Sequence, residues 1–355
     1  MNKRLEKFLN KLTAAQLDGV LINNLKNVYY LTGFWSSNAS LFISRERQVL
    51  FTDARYQVLA QETVKGFEIV ITRDELGEAA KLIKETKLGK IGFESEIAFS
   101  YYQRLQQAFA GLDLTPLTNF VEELRWIKDA EEVATIKQAC SISDQAFRDV
   151  LDFIKVGKTE LEIATFLDFR MRELGASGVS FDIIAASGTR TSMPHAVPSD
   201  KRLEAGDTLT LDFGCLYNHY VSDMTRTVYI DSVNDEQAEI YQTVLKANQA
   251  LIEAARDGLS FRDFDKIPRD IIEAAGYGPY FSHGIGHGIG LDIHEEPYFS
   301  QTSKEVIKAG MVLTDEPGIY IEGRNSGVRI EDDLLITQEG CEVLTLAPKE
   351  LIVVK

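Results

Sequence analysis

The chain has 355 residues, 45% of them apolar, 26% charged and 10% aromatic. This is an ordinary globular composition that excludes collagen-like, low-complexity and largely disordered architectures and leaves room for two domains with their own cores. Lys and Arg number 38 against 54 Asp and Glu, a formal charge of −16, which sets the field against nucleic acid and against an anionic membrane surface.

In chain order, Leu5, Phe8, Leu9, Leu12 and Leu17 recur at helical spacing over residues 3–17. This start is an amphipathic helix, not the apolar core of a signal peptide. Gly19–Ile22 reads as a short buried strand, and Asn27–Gly33 follows without an assignment. Leu41–Ile43 and Val49–Thr52 read as paired strands. Then come a helix over 53–64, a strand over 67–72, a helix over 75–86, a strand over 90–94 and a helix over 101–110. Helices alternating with strands predict an α/β domain with a mixed sheet over residues 1–125.

From residue 126 the texture changes, and all of the acidic excess lies beyond this point. A long helical pattern runs over 129–153. Thr159, facing Glu162, opens a second helix with a capping box. Strand-rich sequence follows beyond Ala176, with helices near 235–256 and 261–275. Helix pairs bracketing strands predict an α+β domain over residues 126–355, a curved sheet backed by helices. No run approaches the ~18 uninterrupted apolar residues of a membrane span. Cys140, Cys215 and Cys341 are odd in number and far apart. They suit neither a disulfide framework nor a thiolate zinc site, and they read as reduced and buried, as in the cytoplasm.

All five histidines, His195, His219, His283, His287 and His294, fall within one short span, and imidazole is both the commonest metal ligand and the usual acid or base near neutrality. Asp212 is embedded in an apolar strand. Two β-rich runs flank Tyr217-Asn218-His219, so a hairpin there can bring Asp223 beside Asp212. Two buried carboxylates repel unless a cation intervenes; the alternatives are two solvated strand-edge residues, or Asp223 paired with Arg226. The run from His283 to His294 carries glycines at Gly284, Gly286, Gly288 and Gly290. This is not the dinucleotide spacing, but it suits close backbone approach, with His283 and His287 on one face of a strand. Glu316 precedes Pro-Gly, and Glu331 ends Gly327–Glu331; each alone also suits a turn or a solvated edge. Together Asp212, Asp223, His287, Glu316 and Glu331 offer four carboxylates and one imidazole. That donor set suits Mn²⁺, Co²⁺, Fe²⁺ or Zn²⁺, and its four negative charges balance two divalent ions.

At these residues the chain resembles the pita-bread metallopeptidases, the family of methionine aminopeptidase, prolidase (Xaa-Pro dipeptidase) and aminopeptidase P (Xaa-Pro aminopeptidase). The motifs appear in order: Asp-(x10)-Asp, His-Gly-x-Gly-His-Gly-x-Gly, Glu-Pro-Gly-x-Tyr and Arg-x-Glu-Asp-Asp. The resemblance covers essentially the whole chain and is greatest to short bacterial Xaa-Pro aminopeptidases. It implies a creatinase/prolidase-type N-terminal domain ahead of a pita-bread catalytic domain. It further implies two metal ions, most often Mn²⁺, held by Asp212, Asp223, His287, Glu316 and Glu331. Glu316 would also relay a proton, His195 would face the substrate, and His294 would stabilise the tetrahedral intermediate. His283 would line the proline side, with Tyr320 and Arg329 beside Glu316 and Glu331, and His219 would be a turn residue. The implied activity is release of an N-terminal residue from a following proline in peptides, by a cytoplasmic homodimer. The alternatives are an Xaa-Pro dipeptidase, a non-catalytic pita-bread binding protein and a creatinase-like amidinohydrolase.

Overall fold

The computed structural model describes residues 3–299 and 305–355, and the chain folds as two units, Met1–Arg125 and Trp126–Lys355. In the first unit α1 (Lys3–Ala14) buries Leu5, Phe8 and Leu12 along one stripe. β1 (Gly19–Ile22) is buried throughout. The unassigned segment is α2 (Leu25–Thr32): Asn24 caps its start by accepting from Lys26 N and Asn27 N, and Gly33 ends it at φ 72°. β2 (Ala39–Ser44) and β3 (Gln48–Thr52) pair antiparallel. α3 (Gln57–Thr63), β4 (Glu68–Ile71), α4 (Glu75–Thr86), β5 (Lys90–Glu94), α5 (Phe99–Ala108), β6 (Asp113–Leu117) and α6 (Glu122–Arg125) complete the unit. β6 escapes sequence reading because none of its residues is buried. The six strands form one sheet in the order β4-β3-β2-β1-β5-β6. Only β2 runs against the others, so the sheet is mixed as expected.

The second unit opens with α7 (Ala130–Phe153) and α8 (Glu160–Glu173), each started by a capping box, Asp129 with Glu132 and Thr159 with Glu162. The strands β7 (Gly178–Val179), β8 (Ile184–Ser187), β9 (Thr208–Phe213), β10 (Cys215–Tyr217), β11 (Tyr220–Val221) and β12 (Met224–Ile230) follow. Then come the helices α9 (Asp235–Ala254) and α10 (Phe261–Ala274). The chain finishes with β13 (His287–Gly288), β14 (Glu295–Tyr298), β15 (Val312–Asp315), β16 (Gly318–Ile319), β17 (Val328–Arg329), β18 (Asp332–Ile336), β19 (Cys341–Val343) and β20 (Val353–Val354). The strands divide into several sheets, the largest being β20-β12-β9-β8 and β14-β13-β15-β18-β19. The first sheet shares a core with α7 and α8, where Ile142, Phe147, Ile163 and Leu167 meet Leu209, Leu211 and Val228. The second shares a core with α9 and α10, where Val244, Phe261 and Phe264 meet Leu313 and Leu334. Each helix pair thus backs its own sheet, and the site lies where the two sheets meet. Of the cysteines, Cys140 and Cys215 are buried and Cys341 is only partly so; none forms a disulfide.

Arg226, on β12, joins the two sheets. Its side chain is only 1% exposed and donates to Glu331 O at 2.6 Å, Thr225 O at 3.0 Å, Ala347 O at 3.0 Å and Asp332 Oδ1 at 2.8 Å. The alternative pairing of Asp223 with Arg226 is therefore not formed. Burial works against the Asp332 charge, yet Arg226 and Lys349 hold its carboxyl below the usual carboxylate range. Removing one partner of a buried ion pair strands the other. Arg226→Met is expected to destabilise the protein by about 3–5 kcal/mol in urea unfolding; a loss below about 1 kcal/mol would show that Arg226 does not join the sheets.

Candidate metal centre

β9 and β12 pair antiparallel with Asp212 opposite Thr225 and Phe213 opposite Met224, so Asp223, the residue before β12, arrives beside Asp212. Between them Asn218 and His219 turn the β10–β11 hairpin with φ of 44° and 72°, within the Tyr217–His219 segment where the sequence suggests a hairpin, Tyr217 itself pairing with Tyr220. His219 stays in that turn. Asp212 is 8% exposed and Asp223 4% exposed, so neither is a solvated edge residue.

The second sheet supplies the other donors. His287 begins β13, Glu316 follows β15, and Glu331 precedes β18. The glycines permit this packing. A Cβ on Gly286 would lie 2.3 Å from Thr314 O, and one on Gly288 would lie 2.7 Å from Glu296 O. His283 and His287 do not share a strand, because β13 covers only His287 and Gly288; His283 reaches the same cavity from the preceding loop.

Donor atoms of Asp223, His287 and Glu331 lie within 4.8 Å of one another. His287 Nε2 is 3.7 Å from Asp223 Oδ2 and 3.6 Å from Glu316 Oε1. Its Nδ1 faces Gly288 O at 3.1 Å and so carries the proton, leaving a bare Nε2 lone pair turned toward carboxylates. Among the described residues, Asp212 Oδ1 and Asp223 Oδ1 are buried and meet no donor. Burial, then the Glu331 and Asp212 charges, push Asp223 well above the usual carboxylate range, and burial, then Glu316 and Asp212, do the same to Glu331. Burial lifts Glu316 to about 7, against the pull of Arg329, and burial lowers His287 to about 4. Orphaned oxygens, a bare imidazole nitrogen and mutually repelling carboxylates fit divalent cations, each of which would relieve the repulsion.

Arg329 does more than stand near Glu331. It forms an ion pair with Asp212 and donates to Thr225 Oγ1 at 3.0 Å and Tyr320 Oη at 2.8 Å. Tyr320 in turn donates to His283 Nε2 at 2.9 Å, while His283 Nδ1 donates to Gly284 O at 2.8 Å. This chain fixes the His283 tautomer, and burial lowers its pKa to about 4, so His283 is neutral near pH 7. Thr225 Oγ1 donates to Glu331 Oε2 at 2.5 Å, leaving the other oxygen for a cation.

The cavity over these groups measures about 670 Å³ and is bordered by His195, His283, His294, Asp182 and the apolar Phe181, Ile293 and Phe299. Sequence reading missed what holds its two exposed histidines. The loop bearing His195 is folded around Glu160, whose buried carboxylate accepts from Ser187 N at 2.7 Å, Ser187 Oγ at 2.9 Å, Ser199 N at 3.0 Å, Ser199 Oγ at 2.7 Å and Arg190 Nε at 3.0 Å. The turn before His294 is held by Glu295, which accepts from Leu291 N at 2.7 Å and Asp292 N at 3.0 Å and meets the buried Lys128 Nζ at 3.4 Å. Neither carboxylate stands in a recognisable motif. Glu160 sits one residue past a helix cap, and only the serines that bond it hint at its role.

Two family descriptions match the chain: the Creatinase/Prolidase N-terminal domain over residues 4–127 and metallopeptidase family M24 over residues 134–338. An Xaa-Pro dipeptidase of Pyrococcus furiosus is 38% identical over 354 residues, spanning 99% of this chain and 100% of that one. Among solved structures, an Xaa-Pro dipeptidase from Bacillus anthracis superposes with a TM-score of 0.96 at 42% identity, covering 99% of both chains. An X-Pro aminopeptidase from Thermotoga maritima gives 0.91 at 36% identity, again covering 99% of both. With its pita-bread fold and its Creatinase/Prolidase N-terminal domain, the chain belongs to metallopeptidase family M24.

Proposed function

We propose that the chain is a dimetal Xaa-Pro aminopeptidase, with Asp212, Asp223, His287, Glu316 and Glu331 holding two divalent cations, most often Mn²⁺. The observation that carries this reading is the buried carboxylate cluster around the bare His287 Nε2, with two carboxylate oxygens lacking any donor. When bound, such a pair of cations supplies Lewis acidity and a water activated near neutral pH. Glu316 takes the proton of the attacking water and passes it to the departing proline nitrogen. His294 donates to the carbonyl oxygen as negative charge develops there, and His195 orients the substrate. His283, fixed by Tyr320 and Arg329, borders the proline side. An amide to proline has no N–H and a locked ring, so the apolar walls of Phe181, Ile293 and Phe299 read shape. Three cysteines without a disulfide support a cytoplasmic location, and a homodimer rests on family resemblance alone.

Substrate length divides two readings. A dipeptide brings its own carboxylate into the cavity. Among the described lining residues only Arg329 carries a fixed positive charge, and it is engaged by Asp212 and Tyr320. That favours peptides continuing past proline. The second reading, an Xaa-Pro dipeptidase, is favoured by the names of the Pyrococcus and Bacillus relatives. Comparing kcat/KM for an Xaa-Pro dipeptide and an Xaa-Pro-Yaa tripeptide separates them. The aminopeptidase reading expects the tripeptide to be preferred; activity confined to the dipeptide reverses it.

Two further outcomes follow from the charge arrangement. Folded-state carboxyl pKa values raised above their unfolded values favour the metal-free fold in acid. That contribution is full below about pH 4 and fades as pH rises through the Glu316 value of about 7. Metal-free protein should therefore lose thermal stability between pH 5 and pH 8, and added Mn²⁺ should raise Tm more at pH 8 than at pH 5; a metal increment independent of pH would contradict the site. His294→Ala should retain its metal and lose roughly 10²–10³-fold in kcat, the scale for an oxyanion donor; a wild-type rate would remove His294 from the reaction.

A further inference from the structure

The N-terminal unit contains a cavity of its own, about 230 Å³. It opens at the carboxyl ends of three parallel strands: Asn23 follows β1, Thr52 ends β3 and Thr72 follows β4. The chain leaves β1 on one side to build β2, β3 and β4, then crosses by α4 to build β5 and β6 on the other. In open α/β sheets, ligands settle beyond the carboxyl ends of the parallel strands.

Most polar groups around the cavity already have partners. Thr52 Oγ1 donates to Asn38 O at 2.7 Å, Asn38 Nδ2 to Asp53 Oδ2 at 2.7 Å, and Thr72 Oγ1 accepts from Asp74 N at 2.9 Å. Two groups have none. Ser40 is 4% exposed and its Oγ meets no partner; Asn23 Nδ2 is likewise buried and unbonded. The Asn23 amide is oriented by Tyr101, whose hydroxyl donates to Asn23 Oδ1 at 2.8 Å, so the unbonded side is the NH₂ donor. A buried polar group without a partner costs about 1–3 kcal/mol, which a ligand or water must offset. Among the described residues, the one formal charge bordering the cavity is Glu75, with Arg104 3.7 Å away, and Leu25 and Phe51 form an apolar wall.

We propose that this cavity binds a small amino acid as its zwitterion. The carboxylate accepts from Ser40 Oγ and Asn23 Nδ2, the ammonium faces Glu75, and a short side chain rests on Leu25 and Phe51. The cavity is smaller than the about 300–1,000 Å³ of drug-sized pockets, which excludes nucleotides and peptides. A simple anion would be repelled by Glu75, and a simple cation would leave both donors unmet. The inference does not depend on the metal centre.

The test titrates the metal-loaded full chain with glycine, alanine and proline, followed by saturation-transfer NMR and calorimetry, with propionate and propylamine as half-ligands. Saturable binding of an amino acid, no binding of either half-ligand, and a loss of about tenfold or more in both Ser40→Ala and Asn23→Leu support the site, a tenfold loss being about 1.4 kcal/mol. Circular dichroism checks that each variant folds, and Ser40→Ala removes only one oxygen. Equal affinity in the variants would place the amino acid elsewhere, and an absence of saturable binding would show that the cavity holds water only; either result overturns the proposal.

Discussion

Like charges brought together out of water are the constraint on which the second unit depends. Asp223, Glu316 and Glu331 converge on one imidazole whose free nitrogen also carries a lone pair, and Asp212 borders the same cavity. Among the described residues, the Asp212 and Asp223 Oδ1 atoms have no hydrogen-bond donor. Arg329 compensates Asp212, Thr225 bonds one Glu331 oxygen, and the remaining charge is unmatched. Such a cluster persists in a fold only if the surrounding structure holds it by other means, and here those means are visible. The two sheets have separate cores with separate helix pairs. Arg226, buried between them, donates to the Glu331 backbone carbonyl, to Ala347 O and to the Asp332 carboxylate. Asp333 adds a second tie by accepting from Asp223 N at 2.9 Å.

Asp212 lies within β9 and the other three carboxylates each adjoin the end of a strand, while His195, His283 and His294, which would meet a substrate, sit on loops. The loops are not left to themselves. Glu160 gathers the backbone around His195, Glu295 gathers the turn before His294, and the Arg329–Tyr320 pair fixes His283. A buried carboxylate satisfied by several N–H and O–H donors is a stable anchor, unlike one facing another carboxylate. The same residue type thus serves two opposite purposes within one unit, and the number of donors around each carboxylate distinguishes them.

The candidate donors were legible because chemistry of this kind leaves marks in sequence. An aspartate inside an apolar strand, histidines crowded into one span and glycines at alternate positions each break an ordinary pattern. The Asn218–His219 turn and the Thr159–Glu162 capping box were readable from local rules. β6 was not, because its residues are not buried, and α2 was not, because Asn27, Val28 and Tyr30 suit a strand as well as a helix until Asn24 and Gly33 are seen to cap it. Arg226, Glu160 and Glu295 look like surface charges in sequence. The roles of Arg226 and Glu160 depend on partners far along the chain, for Arg226 at Glu331, Asp332 and Ala347, and Glu295 meets the distant Lys128 as well as its own turn; no spacing rule encodes such distant contacts. The separation into two large sheets was likewise hidden, since periodicity reports which face of a strand is buried and not which strand lies beside it.

The most direct measurement of the central claim is anomalous X-ray scattering from crystals of the chain grown with Mn²⁺. The account predicts two manganese peaks about 3.5–4 Å apart, ringed by the carboxylates of Asp212, Asp223, Glu316 and Glu331 and by His287 Nε2. A map with no peak among those side chains would contradict it.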